Sequence, residues 1–568
     1  MDWGSGLEHY FDSSANFLQT IQSRTADEIH FQLGEASLFR RLVEHNVTSL
    51  RLVAVFITVF IILTILKRVA YVNNLEWGAL NRSKPNKTVK DLPGPKFSAK
   101  WLICNGFQLL SAEGFMPLFR TWCEKYGPCF GFKLFQQNVV VLNSPSMAQM
   151  LLTSGENGHL HKSPYFYDTF IPFWNDGLIV SRAEKWRNRR KIMSRAFTLK
   201  SFLGYMHVYN KAGKELVSKL TQLFSHREMD SEPKGKPIDR VLWGCALRVI
   251  CETTMGLDVW EFKNAKELTE TLHTCKSLCT IRLLKPWLRN NLIWYFHPRS
   301  KDLSKGIRHL QELTKSVIEN HKIKAASKPN ATQLEAEDEL GAKKPFISMV
   351  EEMMSAGVDE KGITEEGYET TATTLQFLMF LLALYPEEQA KCREEVDKVF
   401  EDVSLCPNGE LSHDALASLK HLERCIFETL RIFSVVFLIA RKLETPLTID
   451  DQLELPVGTN VLIFLQGIQT NPEYYPDPLQ FKPERFLVEN SQGRSQYAYL
   501  PFSAGPRNCI GFKFGLMEVK VLASWILRHF LISTTDKMED VKLLYDIVLT
   551  PERGYNFVLS KRTVETVL

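Results

Sequence analysis

The chain has 568 residues, of which 45% are hydrophobic, and a formal net charge of +4. This length allows one large core or several smaller ones, and the nearly balanced charge, without a basic run interleaved with aromatics, argues against a nucleic-acid partner. Eleven scattered cysteines fit a reducing compartment, and the pairs Cys123/Cys129 and Cys275/Cys279 lack a second cluster of Cys or His that would complete a tetrahedral metal site.

The first predicted element is a membrane anchor at 47–70. The uncharged run at 52–66, LVAVFITVFIILTIL, reaches with its flanks the roughly 20 residues that a bilayer core requires. It lacks the period of a half-buried helix. A cleaved signal peptide would not begin this far into the chain, so the remaining alternative is a buried helix of a soluble domain.

Charge on either side of the anchor predicts its orientation. Residues 1–46 carry seven acidic and three basic side chains, whereas residues 67–100 carry two acidic and eight basic ones. Since positive charge marks the cytoplasmic side, we expect a lumenal tail at 1–46. The basic segment 71–96 contains Pro and Gly and is predicted to be a linker, and residues 97–568 are predicted to form one cytosolic domain.

The next informative segment is 184–197, EKWRNRRKIMSRAF. A helix there places the indole N–H of Trp186 and the guanidinium of Arg190 on one face, where both suit carboxylate acceptors. A basic amphipathic surface helix is the alternative.

A second informative segment spans 350–371 and reads VEEMMSAGVDEKGITEEGYETT. Gly357 and Gly362 interrupt any helix ahead of Thr370. Taken alone, the Glu- and Thr-rich stretch is an ordinary helix start.

Two further segments carry charged residues at helical spacing. The segment 419–433, LKHLERCIFETLRIF, places Glu428 and Arg431 three residues apart on one face, where they can form an ion pair. Such pairs are most often a solvated helix face. About 50 residues later, FKPERF at 481–486 supplies Arg485.

The most specific segment is 501–515, PFSAGPRNCIGFKFG, which precedes an apolar helical pattern. Cys509 therefore lies just before a helix N-terminus, where backbone N–H groups favour the metal-ligating thiolate. Gly505 and Gly511 permit a tight bulge and close approach of the backbone to a flat ligand, and Arg507 can bind a carboxylate with two nitrogens. A buried cysteine in an aromatic-rich turn is the alternative.

This segment resembles the cysteine loop of the cytochrome P-450 superfamily, Phe-x-x-Gly-x-Arg-x-Cys-x-Gly. All five fixed positions match, at Phe502, Gly505, Arg507, Cys509 and Gly511. The segments 176–197 and ICETTMG at 250–256 resemble the family-four clan of microsomal fatty-acid hydroxylases. The resemblance implies the cytochrome P-450 fold, mainly α with small β-sheets, and makes 97–568 a haem-thiolate catalytic domain in which Cys509 ligates the iron of haem.

The resemblance also implies roles for residues elsewhere. Trp186, Arg190, Arg507 and Arg441 would bind the haem propionates, with Phe502, Gly505 and Gly511 completing the haem-binding loop. Glu428, Arg431 and Arg485 would form a three-member structural network. Thr370 would donate a hydrogen bond to dioxygen, and Glu369 would connect it to a proton path.

The chain departs from the family pattern before Thr370. Where the family has Ala/Gly-Gly-x-Asp/Glu-Thr, the first position here is Glu366. In the family-four clan a glutamate at this place can form an ester to the haem. The segment ahead of Gly367 also lacks about ten residues of apolar helix, close to three turns, so Glu366 is alternatively an accident of that junction.

The implied function is a monooxygenase that inserts one oxygen atom from O2 into an apolar substrate, such as a fatty acid. The sequence has no flavin or nicotinamide motif, so electrons would come from NADPH through a flavoprotein reductase, with cytochrome b5 as a further candidate donor. The resemblance places the chain in the endoplasmic reticulum membrane. Two alternatives stay open: a haem-thiolate lipid-peroxide isomerase or dehydratase, and a haem-binding protein without efficient turnover because its distal helix is short.

Overall fold

A computed structural model describes residues 89–95, 114–134, 137–153, 159–174, 177–225, 235–256, 265–327 and 368–562. The predicted tail, the anchor at 47–70, most of the linker, Glu366 and the segment 350–367 lie outside the described residues. Within the described ranges, no helix combines the length and hydropathy needed to cross a membrane.

The α-helices of the described ranges are numbered in chain order. They are α1 (Phe115–Tyr126), α2 (Pro145–Thr153), α3 (Pro164–Tyr167), α4 (Ile171–Trp174), α5 (Ala183–Met193), α6 (Leu199–Phe224), α7 (Asp239–Ile250), α8 (Ala265–Leu284), α9 (Asn291–Tyr295), α10 (Ser300–Ser327), α11 (Tyr368–Leu384), α12 (Pro386–Glu401), α13 (Ala415–Ser418), α14 (Lys420–Ile432), α15 (Leu465–Gln469), α16 (Val488–Ser491) and α17 (Phe512–His529). A π-helical turn, Cys251–Met255, extends α7.

The strands are short and form four small sheets. They are β1 (Cys129–Leu134), β2 (Gln137–Leu142), β3 (Lys236–Pro237), β4 (Ile439–Lys442), β5 (Leu447–Thr448), β6 (Glu454–Leu455), β7 (Asn460–Ile463), β8 (Phe530–Thr534), β9 (Leu543–Tyr545), β10 (Leu549–Pro551) and β11 (Asn556–Lys561). The sheet orders are β1-β2-β7-β4, β10-β9, β3-β11-β8 and β5-β6. The predicted architecture, mainly α with small β-sheets, is confirmed.

Helix α11 lies at the centre of the hydrophobic core. Its residues from Leu375 to Leu382 are buried on every side of the helix, as expected for a helix that is apolar all round. Phe377 stacks on Phe433 at a ring distance of 4.2 Å, and Phe380 stacks on Tyr555 at 3.8 Å. The first turn of α11, which carries Thr370, is thereby fixed against the rest of the core.

Two features of the fold position the cysteine loop and its neighbours. Gly511 is the N-cap of α17, so Cys509 lies immediately ahead of this buried helix. In the four-stranded sheet, β4 pairs antiparallel with β7 and holds Arg441 opposite Val461. An isolated bridge joins Arg441 to Lys162, which lies far away in the sequence.

Candidate active site

A cavity of about 490 Å³ separates the cysteine loop from the first turn of α11. This volume lies within the range of about 300–1,000 Å³ that is usual for small-molecule sites. Phe502 and Cys509 line one wall, Glu369 and Thr370 line another, and Trp186 of α5 contributes to a third. The structure therefore brings residues from distant predicted segments to one cavity.

Hydrogen bonds hold the cysteine loop in a closed shape. The Cys509 backbone N–H donates to the Phe502 carbonyl at 2.9 Å, and the Asn508 N–H donates to the Gly505 carbonyl at 3.1 Å. The two terminal nitrogens of Arg190 donate to the carbonyl and side-chain oxygens of Asn508, both at 2.8 Å. Arg190 thus anchors the loop, and its contact with a haem propionate stays a prediction.

The tight bulge predicted in this loop lies at Gly505. Its φ is 71°, a left-handed conformation that L side chains rarely adopt. A Cβ atom there would come 2.1 Å from the carbonyl oxygen of Leu152. Gly511 is less constrained, because its φ is −85° and an added Cβ would meet only ordinary contacts, such as Cys509 Sγ at 3.9 Å.

Gly505→Ala is expected to displace the cysteine loop and to prevent most haem incorporation. The added methyl adopts an unfavourable φ and also overlaps the Leu152 carbonyl, which belongs to backbone and cannot turn aside. The measurement is the haem content per purified chain. Gly493→Ala is the matched control, because Gly493 has a φ of 76° but open space around a Cβ. That variant should lose only about 1–2 kcal/mol of stability and keep its haem. Equal haem content in the two variants would contradict the role of the close contact.

The side chain of Cys509 is exposed, and it lines the cavity. Although the side chain is exposed at the cavity, Cys509 lies deep below the outer surface of the protein, and this burial raises the pKa of its thiol above the usual value. A backbone hydrogen bond from Gly511 and the charge of Arg190 lower the same pKa. The helix N-terminus therefore acts in the predicted direction, but desolvation outweighs it in the protein alone. Coordination by a metal cation deprotonates a thiol outright.

Arg507 is buried beside the cavity. Its terminal nitrogens donate to the carbonyls of Leu178 and Ser181 at 3.1 and 2.6 Å, and its guanidinium lies 4.5 Å from the centre of a Trp186 ring. Its Nε–H has no hydrogen-bond partner within the described part of the chain. Burial, followed by the charge of Arg441, lowers the Arg507 pKa to about 9.

Three cationic side chains converge here, because Lys162 and Arg507 line the cavity and the buried Arg441 is bridged to Lys162. Burial lowers the pKa of Arg441 and, still further, that of Lys162. Besides burial, the groups that shift the pKa values of Arg441, Lys162 and Arg507 are Arg441, Arg507 and the Tyr167 phenol. No carboxylate of the described residues shifts any of these three pKa values. Buried cations without a countercharge are costly, so this wall suits a ligand that carries carboxylates.

The first turn of α11 also lines the cavity. Thr370 lines the cavity, and its carbonyl accepts a hydrogen bond from Thr374 Oγ1 at 2.7 Å. The buried Glu369 carboxylate forms an ion pair with Lys276 of α8. Lys276 Nζ also lies 3.7 Å from a carboxylate oxygen of Asp546. The proton-path role of Glu369 stays a prediction.

Glu428, Arg431 and Arg485 meet in one buried network. Arg431 Nε and Nη2 donate to the two carboxylate oxygens of Glu428 at 2.7 and 2.8 Å, and Arg485 Nε donates at 3.2 Å. The backbone N–H of Lys482 adds a fourth donor at 3.0 Å, and Arg431 also donates to the Gln469 carbonyl at 2.9 Å. The Glu428 and Arg431 side chains are fully buried, so they are not a solvated helix face.

Sequence reasoning missed several residues of this site. Lys162, Lys276 and Asp546 line the cavity, yet none belongs to a motif or a periodic pattern. Lys162 could be found only from its bridge to Arg441, and Lys276 only from its ion pair with Glu369.

The donor set of the cavity fits a haem. A cysteine sulfur is available to the iron, the cation cluster suits two propionates, and the other walls are largely apolar, with Phe166, Leu283 and Val436 among them. Thiolate ligation is one of the established ways in which proteins hold haem iron.

Comparison with known proteins supports the same assignment. The family model described as Cytochrome P450 matches residues 93–558. Cytochrome P450 4V2 of Rattus norvegicus is 33% identical over 445 residues, which cover 75% of this chain and 80% of the relative. Cytochrome P450 4c3 of Drosophila melanogaster is 29% identical over 528 residues, covering 89% and 95%. Cytochrome P450 4V2 of Homo sapiens is 31% identical over 467 residues, covering 79% and 83%.

The family match spans most of the chain, and several of the relatives belong by name to family 4 of these enzymes. The cavity is lined by a cysteine, by Lys162 and Arg507 of the cation cluster, and by apolar side chains. This chain therefore belongs to the cytochrome P450 family and is a monooxygenase-type oxidoreductase that binds haem through a cysteine thiolate.

Proposed function

We propose that the chain hydroxylates a fatty acid or a related lipid, with Cys509 as the axial ligand and electrons supplied from NADPH through a flavoprotein reductase. The observation that carries the proposal is the largely apolar cavity, which has Cys509 at one wall and Thr370 at another. The family-4 names of the relatives support the lipid substrate. Cytochrome b5 is a further candidate electron donor.

Residues in and around the cysteine loop would bind and orient the haem. Thiolate-ligated haem supplies the chemistry of O–O cleavage and oxygen insertion. Arg507, Arg441 and Lys162 would neutralise its propionates, since Arg507 and Arg441 are buried and no carboxylate of the described residues is among the groups that shift the pKa values of these three cations. Arg190 would keep Cys509 in place through its two hydrogen bonds to Asn508.

Residues of α11 would manage protons and water. Thr370 lines the cavity, where its hydroxyl would donate a hydrogen bond, and Glu369 is the neighbouring carboxylate. Because Lys276 binds that carboxylate, proton transfer through Glu369 requires the ion pair to open. Apolar side chains such as Phe197 and Leu284 line the same cavity and would exclude water from the substrate.

The membrane anchor at 47–70 remains part of the proposal. The acidic segment 1–46 and the basic segment 67–100 favour a single span of the endoplasmic reticulum membrane with a lumenal tail and a cytosolic catalytic domain at 97–568. An apolar lipid substrate would reach a membrane-bound enzyme directly from the bilayer.

A tag at residue 1 is expected to resist protease in sealed microsomes and to be digested once detergent opens them. The physical reason is the excess of positive charge on the C-terminal side of the apolar run. A tag after residue 568 serves as the control and should be digested in both conditions. Digestion of the N-terminal tag without detergent would reverse the proposed topology.

Fatty-acid hydroxylation by the haem-loaded chain is expected to require both NADPH and a reconstituted reductase. In Thr370→Val, product should fall by on the order of a hundredfold while NADPH consumption continues and hydrogen peroxide accumulates, because the variant lacks the hydroxyl that would donate the proton. Product by mass spectrometry, NADPH by absorbance and peroxide are measured together.

Thr253→Val is the matched control for Thr370→Val. The Thr253 hydroxyl, in the π-helical turn that extends α7, is buried and donates to the Val249 carbonyl at 2.7 Å. This variant should keep the ratio of product to NADPH. Turnover of lipid peroxides without reductase would instead support the isomerase alternative, and haem binding without either reaction would contradict the monooxygenase proposal.

A further inference from the structure

Helices α12 and α14 each present two metal-ligating side chains one helical turn apart. Glu388 and Cys392 lie on α12, and His421 and Cys425 lie on α14, each pair separated by four residues. Residues at this spacing project from the same face of a helix. Since α12 packs against α14, the two pairs face one another.

Cys392, His421 and Cys425 bring their ligand atoms together, and a carboxylate oxygen of Glu388 lies beside the histidine. The sulfurs of Cys392 and Cys425 lie 3.5 Å apart, and Cys425 Sγ lies 3.6 Å from His421 Nε2. His421 Nε2 lies 3.0 Å from Glu388 Oε2. The ligand atoms of the two cysteines and the histidine are all within 4.8 Å of one another.

The three separations of 3.5, 3.6 and 3.0 Å are close to three edges of a zinc coordination tetrahedron. With Zn–S bonds of about 2.3 Å and Zn–N or Zn–O bonds of about 2.0–2.1 Å, the S–S, S–N and N–O edges are about 3.8, 3.6 and 3.3 Å. The ligand set, two sulfurs with one imidazole and one carboxylate, is of the kind that favours zinc over the harder cations. The two sulfurs and the imidazole nitrogen already lie within 4.8 Å of one another, and the Glu388 carboxylate would move towards the sulfurs to become the fourth ligand.

The surroundings also favour a cation at this place. Glu388 Oε2 is a buried oxygen that has no hydrogen-bond partner among the described residues, and it lies 3.0 Å from His421 Nε2. Its other oxygen accepts a hydrogen bond from Lys391 Nζ at 2.6 Å. Two thiolates and one carboxylate around Zn²⁺ leave one negative charge, which Lys391 offsets.

Zinc binding through Nε2 would change the hydrogen bonding of the other imidazole nitrogen of His421, Nδ1. Arg424 Nη2 lies 3.2 Å from His421 Nδ1, and a guanidinium can only donate. Nδ1 therefore accepts, and the imidazole proton lies on Nε2. Ligation through Nε2 moves this proton to Nδ1, so the Arg424 guanidinium must turn aside. Both cysteine thiols also release their protons to solvent when they bind the ion.

The cluster is separate from the haem cavity. Among the described residues that line that cavity, α14 contributes Ile426 and Leu430 and none of the four ligand residues. Cys392 and Cys425 are fully buried, whereas the His421 side chain is 12% exposed, which leaves an entry path for an ion. We propose that Glu388, Cys392, His421 and Cys425 form a structural zinc site that joins α12 to α14, the helix that carries Glu428 and Arg431.

The test uses the full haem-loaded chain, incubated with ZnCl2 and then dialysed against a weak chelator. Zinc and iron are counted by mass spectrometry, and the zinc environment is measured by X-ray absorption. We expect one zinc per chain, with two sulfurs at about 2.3 Å and two lighter atoms at about 2.0 Å. Cys392→Ser combined with Cys425→Ser should lose this zinc. Cys406→Ser is the matched control, because Cys406 is buried but lies outside the cluster, and it should keep one zinc.

Folding defects are separated from ligand loss by a second variant. His421→Asn alters a partly exposed side chain, so it should retain haem while its zinc affinity falls at least about tenfold. Three results would overturn the proposal: a wild-type chain without zinc after loading, zinc that persists in the double cysteine variant, or a disulfide between Cys392 and Cys425 in the intact protein. Haem content reports separately on the haem site.

Discussion

Cys509→Ser is expected to abolish the strongly red-shifted Soret band of the ferrous carbonyl complex and with it all hydroxylation. The neutral hydroxyl cannot replace an anionic sulfur as the electron donor to iron. The loop itself should persist, because its closing bond joins the backbone N–H of residue 509 to the Phe502 carbonyl, and Arg190 still binds Asn508. The carbonyl spectrum of the purified variant is the measurement.

Cys123→Ser is the control for this substitution. Cys123 is a free, half-buried cysteine on α1 and is not among the residues that line the cavity. Its variant should show the spectrum of the unmodified chain. An unchanged red-shifted band in Cys509→Ser would instead mean that another residue ligates the iron, and the assignment of Cys509 would then be wrong.

Glu428→Gln should lower the stability of the protein by about 3–5 kcal/mol, the usual cost of removing one partner from a buried ion pair. The amide keeps the shape of the side chain, but it removes the countercharge of Arg431 and Arg485 and places an NH2 group against their donors. Both guanidinium groups would then lack a partner charge in a site where Glu428 and Arg431 are fully buried. We expect a lower midpoint of urea unfolding and faster loss of haem.

Glu394→Gln tests whether an ion pair at a similar helical spacing has the same effect at the surface. Glu394 accepts a hydrogen bond from Lys398 at 2.7 Å, and both side chains are about 70% exposed. Solvent screens such pairs, so this variant should unfold at the midpoint of the unmodified chain. Equal midpoints for Glu428→Gln and Glu394→Gln would show that the buried network does not stabilise the fold.

The cysteine loop was predictable from the sequence because its geometry is local. Five residues within ten positions specify a bulge at Gly505, a cysteine ahead of a helix and an arginine beside it. Hydrogen bonds between near neighbours, such as Cys509 N–H to the Phe502 carbonyl, then close the loop. The spacing of Glu428 and Arg431 was predictable for the same reason, since it follows the period of a helix.

Burial at these positions was not predictable from spacing. An exposed helix face and the buried Glu428–Arg431 pair have the same sequence pattern. The structure decides between them through the Gln469 carbonyl and Arg485, which arrive from other segments. Likewise, the expectation that the start of α17 favours the thiolate of Cys509 was incomplete. Desolvation raises the Cys509 pKa, and it depends on everything packed around the residue.

The cation cluster was decided only by tertiary structure. Lys162 meets Arg441 because β4 lies at the edge of a sheet beside the segment ahead of α3, and Arg507 comes from a third segment. The proposed zinc site has the same origin. The sequence showed no second cysteine cluster, since its ligands are two helical pairs, Glu388/Cys392 and His421/Cys425, separated by a loop and a short helix. Local spacing determines which face of a helix a residue occupies, but only long-range packing determines which faces meet.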